Sequence, residues 1–435
     1  MSTPFLQSDR PVLRLEEREF GTLLGRVLSP SQPLETAELL RGRDKQLSEI
    51  RKALYSPGRH ALIHGLRGVG KTSLARTVAF ELTQECEPIF VACDAKTTVD
   101  SLLKDVVSAA NARRPGFTSE VRKIGGGFSR WGLNISGDRT VSEGPIGSPE
   151  TLNEGVRLVD FISQHYGRLP IVVIDEFDLI EDPKEQESLA NLVKQVSDQK
   201  IDLKFIVCGI GSSPDRLMSS HMSIDRFFHT VSLERLSFQA RLEIFAEASD
   251  VLGVEPEIGT LSKTAMISDG FPHYVHVIAE KVFWEVYEAR NGGKITPELF
   301  EIALVNAAGA MDIRMRQPYE TATRKYTNDY EPILWALADS HQLQRRSTDI
   351  FSSYQRIMQG LKREALERDR FNNRLNTLKR STHASIVLGT RQGWYEFAEP
   401  MTRGYVRLRA EQNGVSLEPE HAALPPRHRT RITPP

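Results

Sequence analysis

The apolar positions of this chain follow two regimes. Up to about residue 236, short runs rich in β-branched residues recur: Ala61-Leu62-Ile63, Ile89-Phe90-Val91-Ala92, Ile171-Val172-Val173-Ile174, Phe205-Ile206-Val207 and Val231-Ser232-Leu233. Most of these runs have no polar face, which predicts strands buried on both sides. Longer stretches with helical spacing separate them, and that alternation predicts a parallel sheet covered by helices. Beyond Leu236 the short runs stop. Apolar residues then recur at helical spacing, predicting helices over 240–252, 260–268, 273–289 and 297–315. Upstream, residues 13–28 (LRLEEREFGTLLGRVL) read as an amphipathic helix, broken by Ser29-Pro30-Ser31-Gln32-Pro33. A second helix runs through 46–54.

The pattern changes once more near residue 325. Helical spacing covers 332–337, 354–361 and 371–380, after which Ser385-Ile386-Val387-Leu388 and Trp394-Tyr395-Glu396-Phe397 flank Gly389-Thr390-Arg391-Gln392-Gly393. Helices followed by a hairpin with a basic, glycine-containing tip predict a winged helix. Residues 124–138, rich in glycine with Phe128 and Trp131 among them, read as a hairpin or exposed loop inserted into the sheet region. The proline-rich stretch from Glu418 onward reads as disordered. The expected organisation is an extension (1–39), an α/β core (40–236, insertion about 113–150), a helical lid (237–324), a winged helix (325–412) and a tail (413–435).

Length and composition narrow the picture further. A chain of 435 residues exceeds one ordinary core, and 40% hydrophobic with 26% charged residues is the balance of a globular protein. No apolar run approaches the roughly 18 residues of a membrane-spanning helix, and the start, Met1-Ser2-Thr3-Pro4, shows no secretory pattern. Cys86, Cys93 and Cys208 form neither a disulfide framework nor a metal-ligand spacing, so a cytoplasmic location is expected. The net charge of −1 hides an asymmetry. From Lys325 onward 18 Lys and Arg face 12 Asp and Glu, about +6, which leaves 38 against 45, about −7, for the rest. Such asymmetry can mark a nucleic-acid-facing half, and +6 over roughly a hundred residues is a modest instance of it.

The candidate chemistry starts where the first strand ends. Gly65-Leu66-Arg67-Gly68-Val69-Gly70-Lys71-Thr72 matches G-x-x-x-x-G-K-[ST] and leads from strand to helix. Gly65, Gly68 and Gly70 let the backbone turn its N–H groups, with those of Val69 and Ser73, toward an anion. The new helix aims its positive end at the same point. Lys71 is expected to reach the β- and γ-phosphates of ATP, and the Thr72 hydroxyl to ligate Mg²⁺. Asp175-Glu176 ends a fully apolar strand, where α/β sheets bind ligands. Asp175 is the second expected Mg²⁺ group, and Glu176 the base that polarises an attacking water. Asp178 has no required role. Ser212, after the next strand, is the candidate for contact with the γ-phosphate or the water. Arg226, before the last strand, is the candidate arginine finger toward a neighbouring subunit.

Taken in order, Leu40-Arg41-Gly42-Arg43, HGLRGVGKTSLA, IVVIDEFDLI, a polar strand end, an arginine, helices and a winged helix resemble the AAA+ ATPases. Within these the chain is most similar to the origin-recognition/Cdc-type initiators and related STAND-like bacterial and archaeal ATPases, over roughly residues 40–410. The resemblance implies a P-loop NTPase sheet of the AAA+/ASCE kind with helical lid and C-terminal winged helix. It places Arg43 near the adenine. In the lid it implies a Gly-x-Pro nucleotide contact through Gly270, Pro272 and His273, where other members carry an arginine, and hence a nucleotide-controlled switch rather than fast hydrolysis.

The resulting expectation is an ATPase whose winged helix contacts double-stranded DNA through Arg370, Arg374, Lys379, Arg380 and Arg391. The competing expectation is a STAND-like signalling or defence ATPase that works through homo-oligomers or protein partners. A small-molecule phosphotransferase fits less well, because paired acids suit water activation.

Overall fold

The computed structural model describes residues 15–30, 32–83, 87–113, 151–211, 224–255, 257–324 and 328–417. The chain divides into two compact units, residues 32–235 and residues 1–31 with 236–435. After α1 (Glu17–Val27), which belongs to the latter, the first unit runs α2 (Asp44–Tyr55), β1 (His60–Gly65), α3 (Lys71–Leu82), β2 (Ile89–Ala92), α4 (Val99–Arg113), α5 (Leu152–His165), β3 (Ile171–Asp175), α6 (Pro183–Asp198), β4 (Lys204–Gly209), α7 (Ile224–Phe227) and β5 (Phe228–Leu233).

Its sheet is five-stranded and parallel, in the order β2-β3-β4-β1-β5. The apolar runs are buried as expected: Ile171 to Ile174 and Phe205 to Cys208 are sealed from solvent on both faces. Because β4 lies between β1 and β3, the strand that leads into the glycine turn and the strand that ends in Asp175 are second neighbours. All three open at the same edge.

One polar residue inside this core is accounted for completely. His60 Nδ1 accepts from the Phe205 N–H at 3.0 Å, so Nε2–H donates to Ser197 Oγ at 3.1 Å. Ser197 in turn donates to the Val193 carbonyl at 2.9 Å. Burial, reinforced by the Lys204 charge, pushes the imidazole down to about 3, so it stays neutral.

The other unit is mostly helical: α8 (Phe238–Leu252), α9 (Ile258–Ile267), α10 (Pro272–Ala289), α11 (Pro297–Ala310), α12 (Ile313–Thr323), α13 (Tyr330–Ala338), α14 (Ser347–Gly360), α15 (Arg368–Thr377) and α16 (Thr402–Gln412). The helix expected over 297–315 is broken at Met311, because the Asp312 side chain accepts the Arg314 N–H and caps a new helix. β6 (Arg345–Arg346), β7 (Val387–Arg391) and β8 (Trp394–Phe397) form an antiparallel sheet in the order β6-β8-β7. A bulge between Gly389 and Arg391 carries β7 into the segment that reads as a hairpin tip.

Buried arginines tie this unit together. Arg403 on α16 pairs with Asp269 at 2.7 Å, both side chains sealed from solvent, and also donates to the Gln342 and Ser340 carbonyls. Arg407, one turn on, donates to the Met266 and Ala338 carbonyls. The Arg407 guanidinium thereby satisfies carbonyls that the ends of α9 and α13 leave open. Gly404 packs so closely that a β-carbon there would lie 2.5 Å from the Tyr274 ring, while Tyr274 Oη donates to the Met401 carbonyl at 2.7 Å. α1 docks on α10 by stacking Phe20 on Tyr287 and setting it edge-on to Trp284. Among the described residues no helix is long and apolar enough to cross a membrane.

Candidate functional site

The glycine turn adopts the geometry its sequence implies. Gly68 and Gly70 sit at φ 78° and 97°, and Gly70 caps α3, which begins at Lys71. Gly65 is at φ 154°, where a β-carbon would lie 2.2 Å from the Leu233 carbonyl oxygen on β5. No larger residue fits there. The N–H groups of Lys71, Thr72 and Ser73 open the helix without intrahelical acceptors and point out of its N-terminus, a ready anion cradle. The Ser73 hydroxyl faces elsewhere, accepting the Leu34 N–H at 3.2 Å, so only its backbone serves the cradle.

Lys71 folds back over the turn. Its Nζ donates to the Leu66 carbonyl at 2.9 Å and the Gly65 carbonyl at 3.3 Å. Burial lowers its pKa, with Cys208, Asp178 and Asp175 acting in the opposite sense. Beneath the turn the Cys208 thiol, 3.9 Å from the Lys71 carbonyl, is pushed well up by burial and stays a neutral packing group.

The acidic pair lies across the strand ends from the turn. Thr72 Oγ1 donates to Asp175 Oδ2 at 2.6 Å, and Asp175 Oδ1 accepts the Glu176 N–H at 2.9 Å. Glu176 is exposed and held at φ 54°, a left-handed conformation unusual for glutamate, at the start of a helical turn over Phe177–Leu179. The buried Phe177 ring anchors that turn in the core, so the neighbouring acids project outward. The oxygens of Thr72 and Asp175 fit Mg²⁺, which is held by few protein groups and completes its shell from phosphate and water. Among the described residues no cluster of three or more His, Cys, Asp or Glu could hold a metal alone.

Four further expected site residues have the following surroundings. Arg43 is buried: its Nη2 donates to the Val69 carbonyl inside the glycine turn at 3.0 Å and to the Glu234 carbonyl at 2.7 Å. Burial lowers its pKa to about 10, partly offset by Glu234, so it remains a cation bracing the turn from behind. Pro272 begins α10, and His273 Nδ1–H donates to the Pro30 carbonyl at 3.0 Å. Burial lowers the His273 pKa. Arg226 is exposed at the end of α7, its guanidinium 5.8 Å from the Phe227 ring centre. Ser212, the insertion from 114 to 150 and the tail from Glu418 lie outside the described residues.

The candidate DNA-facing residues divide into two groups. Arg370, Lys379, Arg380 and Arg391 are exposed. Arg374 instead lies 3.4 Å from both Asp329 and the Tyr330 hydroxyl, so much of its role is packing within its own unit. Sequence reading missed Asp178, whose carboxylate accepts the Ile210 N–H at 2.5 Å, and His64, whose Nδ1 lies 3.1 Å from the Gly211 carbonyl. The sequence carried one cue for Asp178, its place two residues after the candidate base. It carried none for His64, which reads as one more strand residue.

Residues 39–206 match the family model described as AAA ATPase domain. Among solved structures, a Walker-type ATPase of Pyrococcus abyssi superposes with TM-score 0.50 at 18% identity, covering 87% of this chain and 99% of that one. The Aeropyrum pernix ORC2 protein, solved as ADPNP–ADP complexes, gives 0.49 at 13% identity, covering 89% and 98%. The A. pernix ORC1 protein in complex with DNA gives 0.45 at 16%, covering 89% and 96%. At 18% identity the likeness to the Pyrococcus abyssi ATPase concerns the fold alone. No curated protein sequence matches this chain.

Proposed function

We propose that the AAA ATPase domain spanning residues 39–206 binds Mg·ATP in the glycine turn, hydrolyses it slowly, and uses the nucleotide state to control contacts made by the C-terminal helices. The observation that carries this reading is the 2.6 Å bond from Thr72 to Asp175, which joins the phosphate cradle and the acidic strand end in one site.

In this mechanism the backbone N–H groups of residues 68–73 bind the phosphates, and Lys71 exchanges its two loop carbonyls for phosphate oxygens. Mg²⁺, held by Thr72 and Asp175, supplies charge neutralisation when bound. Glu176, exposed and free to turn, orients a water and takes its proton. Arg43 holds the turn against β5 throughout. The assignments of Ser212 to the γ-phosphate, of Arg226 to a neighbouring subunit and of Pro272 and His273 to nucleotide sensing rest on the sequence pattern and the family resemblance.

For the output, α13 to α15 with the β6-β8-β7 sheet fit a winged helix, and exposed Arg370, Lys379, Arg380 and Arg391 suit the phosphates of double-stranded DNA. A labelled duplex should shift at about 50 mM salt, with affinity falling steeply as salt rises. Joint reversal of Lys379, Arg380 and Arg391 to Glu should abolish the shift. No binding at that ionic strength overturns the DNA reading. A protein-assembly output is favoured by exposed Ile302, Val305 and Ile313 on and after α11. ATP-driven assembly indifferent to DNA, seen by light scattering, would select it.

A further inference from the structure

We infer that Asp178 and His64 are positioning residues that fix the end of β4, at Ile210 and Gly211, as the element by which the site distinguishes ATP from ADP. The inference rests on the nucleotide-binding reading above and extends it to two residues with no assigned role.

The strand order places β4 between β1 and β3. Its C-terminal end therefore emerges between the glycine turn and the acidic pair, where a γ-phosphate has to lie if Lys71 and Glu176 both act on it. A strand end is not rigid by itself, since the last residues leave the ladder: the β1–β4 register stops at His64 opposite Gly209. Beyond that point two side chains take over from backbone pairing. His64, the last residue before Gly65, reaches forward so that Nδ1–H donates to the Gly211 carbonyl at 3.1 Å. From the other flank, Asp178 accepts the Ile210 N–H at 2.5 Å. One clamp belongs to the strand feeding the phosphate turn, and the other to the helical turn carrying Glu176.

The anchors are themselves held. His64 is buried, and Asp178 rides on the Phe177–Leu179 turn pinned by the sealed Phe177 ring. A change at either flank is thus delivered to residues 210 and 211. ADP, lacking the third phosphate, makes no demand on this segment. Loosening it should cost ATP affinity and spare ADP affinity.

The test is a titration of parent, Asp178→Ala, Asp178→Asn and His64→Phe with fluorescent ATP and ADP analogues in Mg²⁺, each protein checked by circular dichroism. Asp178→Ala should lower the preference for ATP over ADP about tenfold, the scale of a lost hydrogen bond to a charged group, with ADP affinity unchanged. Asparagine keeps an acceptor for the Ile210 N–H, so Asp178→Asn should restore most of that preference. His64→Phe, which fills similar space without a donor, should move as Asp178→Ala does and serves as the probe if that variant misfolds. Parent-like discrimination in both Asp178→Ala and His64→Phe overturns the inference. So does an Asp178→Asn protein as impaired as Asp178→Ala, because the carboxylate charge, and not the bond, would then be responsible. A parent protein that binds neither nucleotide overturns the nucleotide-binding reading itself. Tight, equal binding of both by the parent overturns only the positioning role.

Discussion

The Thr72 hydroxyl donates to the Asp175 carboxylate at 2.6 Å, although β1 and β3, the strands that lead to these residues, are not neighbours in the sheet. The bond spans the end of β4 and ties the first turn of α3 to the acidic strand end. These two oxygens belong to the groups proposed to share Mg²⁺. Replacing Thr72 by Val keeps the shape and removes the hydroxyl. The expected outcome is that ATP affinity no longer rises when Mg²⁺ is added, falling about tenfold or more relative to the parent in Mg²⁺, while affinity in EDTA is unchanged. Nucleotide titration with and without chelator checks this. A variant that keeps its Mg²⁺ dependence removes Thr72 from the metal site.

Glu176 is exposed and sits at φ 54°, a backbone conformation that glutamate seldom adopts. Glu176→Gln preserves shape and φ preference while removing the proposed base. Turnover should fall about 10²–10⁴-fold with ATP binding intact, measured as phosphate release alongside nucleotide titration. Normal hydrolysis by this variant would show that another group activates the water.

Acid should destabilise both units, for the same reason. His60 and His276 are buried as neutral bases, with burial pushing them to about 3 and about 4. Their unfolded counterparts take up protons near 6.5, so the stability they contribute is complete above that pH. It is lost as pH falls toward the folded values, at about 1.4 kcal/mol per pH unit for each group. Melting temperature should therefore drop steadily from pH 6.5 to pH 5. His60→Gln, which can still accept and donate, should flatten the slope by about one proton. Parallel curves for parent and variant would contradict this.

The Arg403–Asp269 pair should dominate the stability of its unit. Arg403→Ala strands a fully buried carboxylate and is expected to cost about 3–5 kcal/mol. In a unit of this size that lowers the melting temperature by roughly 10 °C. Adding Asp269→Asn, which removes the stranded charge and tolerates the residue's φ of 50°, should recover part of the loss. A double variant less stable than Arg403→Ala contradicts the account.

Much of this architecture was legible in the residues because local physics dictates it. The apolar runs, the glycines at positive φ and Asp175-Glu176 at a strand end each impose a conformation without help from distant parts. Tertiary partners were not legible. The Arg43 guanidinium braces the Val69 and Glu234 carbonyls, and nothing within a few residues of Arg43 announces either contact. The same holds for Arg403, whose partner lies far back in the chain, and for Arg374, whose charge is partly taken up by Asp329. The two-residue strand β6 was invisible because Arg345-Arg346 has no strand pattern and exists by pairing with β8. The break at Met311 depended on one capping aspartate inside a continuous helical pattern.

The central claim is that a triphosphate is bound at the start of α3. Isothermal titration of the full chain with Mg·ATP, beside Lys71→Ala, measures it most directly. The account predicts saturable one-site binding for the parent and its loss in Lys71→Ala, with both proteins equally folded by circular dichroism. Absence of binding by the folded parent, or equal binding by both proteins, would contradict it.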